Sequence, residues 1–434
     1  MATTFRRYTP EQSILLPPSP RDWLPEGHLA YFISDTVDNL DLSSLYEPYE
    51  GDGRRNMPFE PRMMAKVLLY GYATGTFSSR KLAKKLHEDV AFRFLSGENF
   101  PAHRTIADFR KQHLTAFQEL FVQVVRIARE LGLVKLGTVA IDGTKVKASA
   151  SKHKAMSYGR MQQEEQRLRA EIEELTTRAS QVDAEEDAVH GAENSGDEIP
   201  SELQRREQRL KKIGEAMERL KSRQAEEDRE AGRSPEAKSR SKRPFGEPPE
   251  KKQDNFTDPE SRIMKTSSGY EQCYNGQIAV DAESRLIVAA EMTQSAADAE
   301  QLLPMVEKTC EVTQGVPSEV LADAGYRSED NLQGLEGKKI DGYISLGRER
   351  KSPTVVNNPE NPATSRMQEK LATEKGRKTY SRRKGLVEPV NGWIKSVLGF
   401  RQFSFRGLAK VAGEWTLVCL ALNLKQLNPR MEWK

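Results

Sequence analysis

The chain has 434 residues, 37% of them hydrophobic, and 67 Lys and Arg against 64 Asp and Glu leave a formal net charge of +3. That length suits two or three domains at about 150 residues each, and the apolar fraction can fill a core that some polar segment dilutes. No apolar run approaches the roughly 18 residues of a membrane span, no apolar stretch follows the basic pair Arg6-Arg7, and Cys273, Cys310 and Cys419 are too scattered for a zinc or disulfide framework, so membrane, secreted and structural-zinc classes are excluded and a reducing cytoplasm is expected.

Residues 1–134 read as an all-helical N-terminal domain. Glu60-Pro61 opens a helix on which Met64, Val67, Leu68 and Tyr72 recur at helical spacing. Ser78-Ser79 is placed to cap a second helix with Leu82 and Leu86 on one face and Arg80, Lys81, Lys84 and Lys85 on the other. Thr105 is placed to cap a third, carrying Ile106 and Phe109, and a fourth runs from Phe117 through Leu131 to Gly132. Short helices with a basic face suit a helix-turn-helix-like DNA reader. The same periodicity suits a plain bundle with a solvated lysine face.

At Gly137 the period changes. Thr138-Val139-Ala140-Ile141 is short, β-branched and bounded by glycine, as a buried strand is. Over 158–255 the pattern changes again. Leu168, Ile172 and Leu175, then Leu203, Leu210, Ile213, Met217 and Leu220, recur in a sea of charge, predicting two arms of an antiparallel coiled coil. An acidic break spans 181–200, and the Pro, Ser, Lys and Arg composition of 234–254 predicts a disordered basic linker. Strand patterns resume at once, so 158–255 is read as an insertion within one domain formed by 135–157 and 256–434.

Beyond it, 276–281 and 286–290 predict a hairpin turning at Glu283-Ser284. A helix over 297–312, a strand over 318–323, a short helix over 328–335, a strand over 342–346 and a helix over 383–398 follow. The fold class is therefore α/β, a mixed sheet in the order βββαβαβα with helices on its faces. That is the order of the RNase H-like fold, an analogy of topology which by itself says nothing of function.

The informative residues are acids. Asp142 follows Val139-Ala140-Ile141, and Asp323 follows Val320-Leu321-Ala322. A carboxylate ending a buried strand is not core filling, because an unpaired buried charge costs several kcal/mol. In the expected topology the two strands are central neighbours, so both acids emerge at one edge. A third acid, Glu388, lies on the late helix with Lys395 two turns on, and Glu374 is the next candidate for that place. Asp258, Asp281 and Asp298 are accounted for as a turn, a hairpin end and a helix cap. Three converging carboxylates repel one another unless cations intervene. Oxygen ligands without nearby Cys or His favour two Mg²⁺ or Mn²⁺ ions, the arrangement that serves in-line displacement at a phosphodiester.

The segments 139–144 and 321–326, and the run from Tyr380 through Glu388 to Lys395, resemble the three acidic motifs of the DDE transposases of bacterial insertion sequences. The last is similar to the Tyr-Arg-Glu-Lys signature of one large group of them. Residues 399–407, the helix at 415–427 and the N-terminal stretch 56–76 also resemble that group. The resemblance implies that Asp142, Asp323 and Glu388 are metal-binding catalytic carboxylates, and that Tyr380, Arg383 and Lys395 contact DNA phosphate. The group signature places three residues between its Arg and Glu, whereas four separate Arg383 from Glu388, so Lys384 shares the candidacy for the phosphate contact. Also implied are double-stranded DNA as substrate, a homodimer when two ends are cut together, and a cytoplasmic, nucleoid-associated setting.

Basic residues cluster near the acids: Lys145, Lys147, Lys152 and Lys154; Arg348, Arg350 and Lys351; and six between Lys375 and Lys384. Each cluster alone suits a solvated loop, and three flanking one edge suit phosphate binding. Two rivals stay open, a non-catalytic DNA-binding regulator descended from such an enzyme and a stand-alone RNase H-like nuclease.

Overall fold

A computed structural model of the chain describes residues 20–49, 57–190, 201–235, 243–347 and 361–430. Seven helices come first: α1 (Leu29–Asp38), α2 (Ser43–Tyr46), α3 (Pro61–Ala73), α4 (Ser79–Glu88), α5 (Val90–Ser96), α6 (His103–Gln112) and α7 (Leu114–Glu130). Pro61 opens α3 as expected, since its missing N–H costs nothing in the first turn. Two capping expectations differ. Ser78 flanks α4 without a side-chain cap bond, and α6 begins before Thr105, at His103, after Ala102.

The chain then forms β1 (Thr138–Lys147), β2 (Ala155–Ser157), α8 (Tyr158–His190), α9 (Ser201–Glu230), β3 (Gln253–Asn255), β4 (Arg262–Thr266), β5 (Gly269–Asp281) and β6 (Ile287–Thr293). It ends with α10 (Leu302–Thr313), β7 (Glu319–Ala322), α11 (Glu329–Gly337), β8 (Asp341–Ile344), α12 (Pro362–Ala372), α13 (Glu374–Gly392) and α14 (Leu408–Leu427). The main sheet is mixed. Its path is β4-β5-β1-β7-β8, with β6 pairing the later half of β5 while β4 pairs its start. β1 lies antiparallel to β5 and parallel to β7, and β7 is parallel to β8. The mixed α/β class matches the expectation; β2, β3 and β4 were not foreseen.

α8 and α9 pair side by side. The ion pairs Arg206–Glu171 at 2.8 Å and Arg209–Glu164 at 2.8 Å run in opposite chain directions, so the helices are antiparallel. Leu168, Ile213 and Leu220 sit in a small apolar cluster between them, while Leu203 is also buried. Two expectations change. α8 runs through the expected break at Gln181 as far as His190. The described part of the expected disordered linker, 243–254, is pinned: the Gly246 N–H donates to the buried Asp228 at 2.9 Å, and Lys252 donates to Gln224 at 2.9 Å. Composition signalled a disordered linker, but polar side chains on α9 supply its partners.

α14 is largely apolar because most of it, from Val411 to Leu424, is buried. It packs between α3, α7 and β6, with Trp415 over Gly276, where a side chain would come within 2.8 Å of the indole. One continuous apolar cluster thus runs from α1 through the sheet to Leu427. Among the described residues no helix is long and apolar enough to cross a membrane.

Candidate active site

The parallel register aligns Thr138 with Glu319 and Ala140 with Leu321. Asp142 and Asp323 each stand two residues past that last pair, so they arrive at the same height on adjacent strands. Asp142 is not at a strand end, however. β1 continues past it to Lys147 along β5, while β7 stops at Ala322, and this inequality opens the space beside Asp142. Gly143 is required there: a Cβ would meet Gln277 Nε2 at 2.5 Å and Asp298 Oδ1 at 2.6 Å.

Asp298 belongs to this place. It follows β6, makes no side-chain cap bond, and accepts from Asn275 Nδ2 at 2.6 Å, Gln277 Nε2 at 2.8 Å and Lys145 Nζ at 3.3 Å. The helix-cap reading of Asp298 is therefore corrected: β5 presents two buried amides that outcompete a solvated helix end. Asp258 and Asp281 hold turns as expected, Asp281 accepting from the Ser284 N–H at 2.9 Å.

The half-buried Asp142 carboxyl is pushed up to about 6 by burial, against the pull of Arg383, with Asp323 and Asp298 adding like-charge repulsion. Arg383 Nη1 lies 3.8 Å from Asp142 Oδ1, and Asn391 Nδ2 donates to Asp142 Oδ2 at 2.8 Å. Asp323 accepts from the Gly325 N–H at 2.8 Å, which turns its carboxylate at the mouth of the following 3₁₀ turn.

α13 brings the remaining candidates. Its N-terminus is capped by Thr373, which accepts from the Gly376 N–H at 3.0 Å. Arg383, Val387 and Asn391 recur every four residues, one stripe of a helix, and Lys395 extends it in a π-helical turn over Trp393–Val397. Arg383 is buried and faces Asp142, whereas Lys384 is exposed. Lys395 Nζ donates to the Lys145 carbonyl at 2.9 Å, and burial lowers its pKa. Tyr380 packs against the core with its hydroxyl buried and making no hydrogen bond among the described residues. Glu388 sits off the stripe, exposed, with no hydrogen bond or ion pair among the described residues.

The structure thus brings Asp142 and Asp323 together with Arg383 and Lys395 beside β1, and leaves Glu388 outside. Among the described residues no three His, Cys, Asp or Glu side chains are placed to hold a metal ion between them. Sequence reasoning missed Asn391 and Asp298. Asn391 was legible in the four-residue steps from Arg383; Asp298 had no local signal, because its partners lie on another strand. The basic cluster Arg348, Arg350 and Lys351 lies outside the described residues.

Two oxygen donors that repel each other, with the buried Asn391 Oδ1 unpartnered beside them, suit a hard divalent cation. Residues 214–424 match the family model described as a transposase DDE domain, and residues 18–112 match one described as a transposase domain. The first range contains Asp323 and Glu388 and begins after Asp142. No curated protein and no solved structure matches the chain.

Proposed function

Because the chain belongs to the DDE transposases of insertion-sequence type, we propose that it cuts double-stranded DNA at the ends of an insertion sequence and joins the freed 3′-hydroxyl to target DNA. The observation that carries this reading is the level placement of Asp142 and Asp323 on adjacent parallel strands. The order of β6, β5, β1, β7 and β8 supports an RNase H-like catalytic unit from 135–157 and 256–434. Residues 1–134 are its helical DNA-binding domain, and 158–255 its coiled-coil insertion. Two ends cut together call for a homodimer on DNA, and that substrate places the protein at the nucleoid.

Asp142 and Asp323 would hold Mg²⁺ or Mn²⁺, with Glu388 reaching the site from α13 when DNA is bound. Two such ions supply the charge that activates an attacking oxygen and steadies a leaving one at phosphorus. This chain's own residues do the rest. Asn391 orients the Asp142 carboxylate, and Arg383 balances its charge and offers the nearest guanidinium for a phosphate oxygen. Lys395 ties α13 to the backbone of β1 beside the acids. Lys384 lies on the exposed face of α13, where a second phosphate would pass, and Tyr380 packs that helix against the core.

The test is Asp142→Asn, Asp323→Asn and Glu388→Gln, each assayed for binding and Mg²⁺-dependent nicking of a duplex carrying the element's ends. Binding persists and nicking falls on the order of a thousandfold, the scale of losing a preorganised charge at a reacting centre. Nicking retained by all three variants overturns the assignment. The exposed position of Glu388 favours a second reading, a non-catalytic DNA-binding relative, and that reading stands if the wild type binds these ends and never nicks them.

A further inference from the structure

Two lysines on β1 past Asp142 are already engaged: Lys145 pairs with Asp298 at 3.3 Å and Lys147 with Glu271 at 3.2 Å. A separate group of cations lies further along. A cleft of about 720 Å³ opens at the foot of the α8–α9 hairpin, lined by Lys154, Arg160, Arg205, Arg209, Lys212 and Arg219. Glu215 is the one carboxylate lining it. Arg209 is paired with Glu164, and Arg219 with Asp254 at 2.7 Å. Lys154, Arg160, Arg205 and Lys212 are exposed and have no ion pair among the described residues.

The cleft is rigidly built. β2 and β3 pair beneath it, the Phe256 N–H donates to the Lys154 carbonyl at 3.0 Å, and Asn255 Nδ2 donates to the Ser151 carbonyl at 2.9 Å. Phe256 and Met156 pack onto the apolar seam between α8 and α9, so one apolar cluster joins the hairpin to its foot. Lys154 ends the 3₁₀ turn that follows β1, the strand carrying Asp142. Like charges gathered in one concave wall repel each other, and a polyanion relieves that repulsion while releasing its own counterions.

We propose that this cleft grips the sugar-phosphate backbone of the duplex DNA whose scissile bond lies at Asp142 and Asp323, making the hairpin a sequence-independent DNA clamp. The proposal rests on the reading of the chain as a DNA-cutting enzyme and deepens it. Charged heads lining a concave wall meet the phosphates of a duplex, and phosphate contacts position the duplex without choosing its sequence.

The test uses the full chain, a short duplex of unrelated sequence, and binding measured across a salt series. The triple variant Arg160→Gln, Arg205→Gln, Lys212→Gln is expected to lose about tenfold in affinity and about one unit of log–log salt slope per cation removed. A control with the same net charge, Arg167→Gln, Arg169→Gln, Arg178→Gln on α8, keeps the wild-type slope. Equal slopes for the two triples, or no change in either, overturn the clamp. Mg²⁺-dependent nicking of element ends is measured on the same proteins. A wild type that never nicks, with the slope difference intact, overturns the cleavage reading alone; nicking without a slope difference overturns the clamp alone.

Discussion

Asn391 Nδ2 donates to Asp142 Oδ2 at 2.8 Å, linking residues 249 positions apart in the chain. This bond fixes the orientation of a carboxylate that burial would otherwise leave poorly solvated, and it joins α13 to β1 at the candidate site. Replacing Asn391 with Leu removes the donor and strengthens the Asp142 hold on its proton. Mg²⁺-dependent nicking by Asn391→Leu is expected to need a higher pH than the wild type, with its acid limb moved upward. An unmoved pH profile would show that the bond does not act on Asp142.

Asp142 itself governs a pH-dependent stability. Its folded pKa of about 6 lies above that of an ordinary carboxyl. The folded state therefore binds more protons than the unfolded chain between about pH 4 and pH 6, and stability falls as pH rises through that window. Asp142→Asn is expected to be more stable than wild type by about 1–3 kcal/mol at pH 8 without divalent ions. The gap closes below about pH 4, where the aspartate is neutral in both states. Chemical denaturation at the two pH values checks this, and a gap of the same size at both would refute it.

Divalent ions narrow the same gap from the other side. A cation that binds the folded state alone stabilises it by mass action. Mg²⁺ is expected to raise the thermal midpoint of the wild type and leave Asp142→Asn and Asp323→Asn unmoved. Equal shifts in all three proteins would mean that the ion binds elsewhere.

Asp298 holds three donors, two of them from amides with no exposed surface. Asp298→Ala takes the acceptor from Gln277 and leaves Asn275 only the Ser295 carbonyl at 3.1 Å, and an unsatisfied buried donor costs about 1–3 kcal/mol. Denaturant titration is expected to show a loss of about 2–4 kcal/mol, and a variant within error of wild type would remove Asp298 from the support of the site.

A second buried network ties the N-terminal helices to the C-terminal strap. Arg110 on α6 donates to Tyr72 at 2.9 Å, Tyr72 donates to Glu414 at 3.2 Å, and Glu414 accepts the Ser404 N–H at 2.8 Å. The strap in turn bonds β1, where the Phe403 N–H donates to the Lys147 carbonyl at 2.9 Å. Arg110→Ala leaves Glu414 buried without its cation and is expected to cost about 3–5 kcal/mol. Loss of protection of the 399–407 strap in hydrogen exchange checks the route. A strap as protected as in wild type would break the proposed link.

How much of this was legible follows from the range of each interaction. Pro61, the alternation over 276–290 and the short apolar runs before Asp142 and Asp323 are local signals, and they announce α3, the β5–β6 hairpin and the two strands that lead to the acids. Asp298 was misread because a helix cap is also a local pattern, and the amides of Asn275 and Gln277 that outbid it are on a strand more than twenty residues earlier.

The amino-acid order alone determined the alternation of strand and helix, the family resemblance and the identity of the acids, since each rests on periodicity or on neighbours within a few positions. Only the tertiary structure decided that β1 outruns β7 beside Asp142, that Asn391 and Arg383 face that carboxylate while Glu388 turns outward, and that Lys154, Arg160, Arg205 and Lys212 meet in one cleft at the hairpin's foot. Register and helix rotation about an axis are settled by packing among distant segments, and no short window of sequence carries that information.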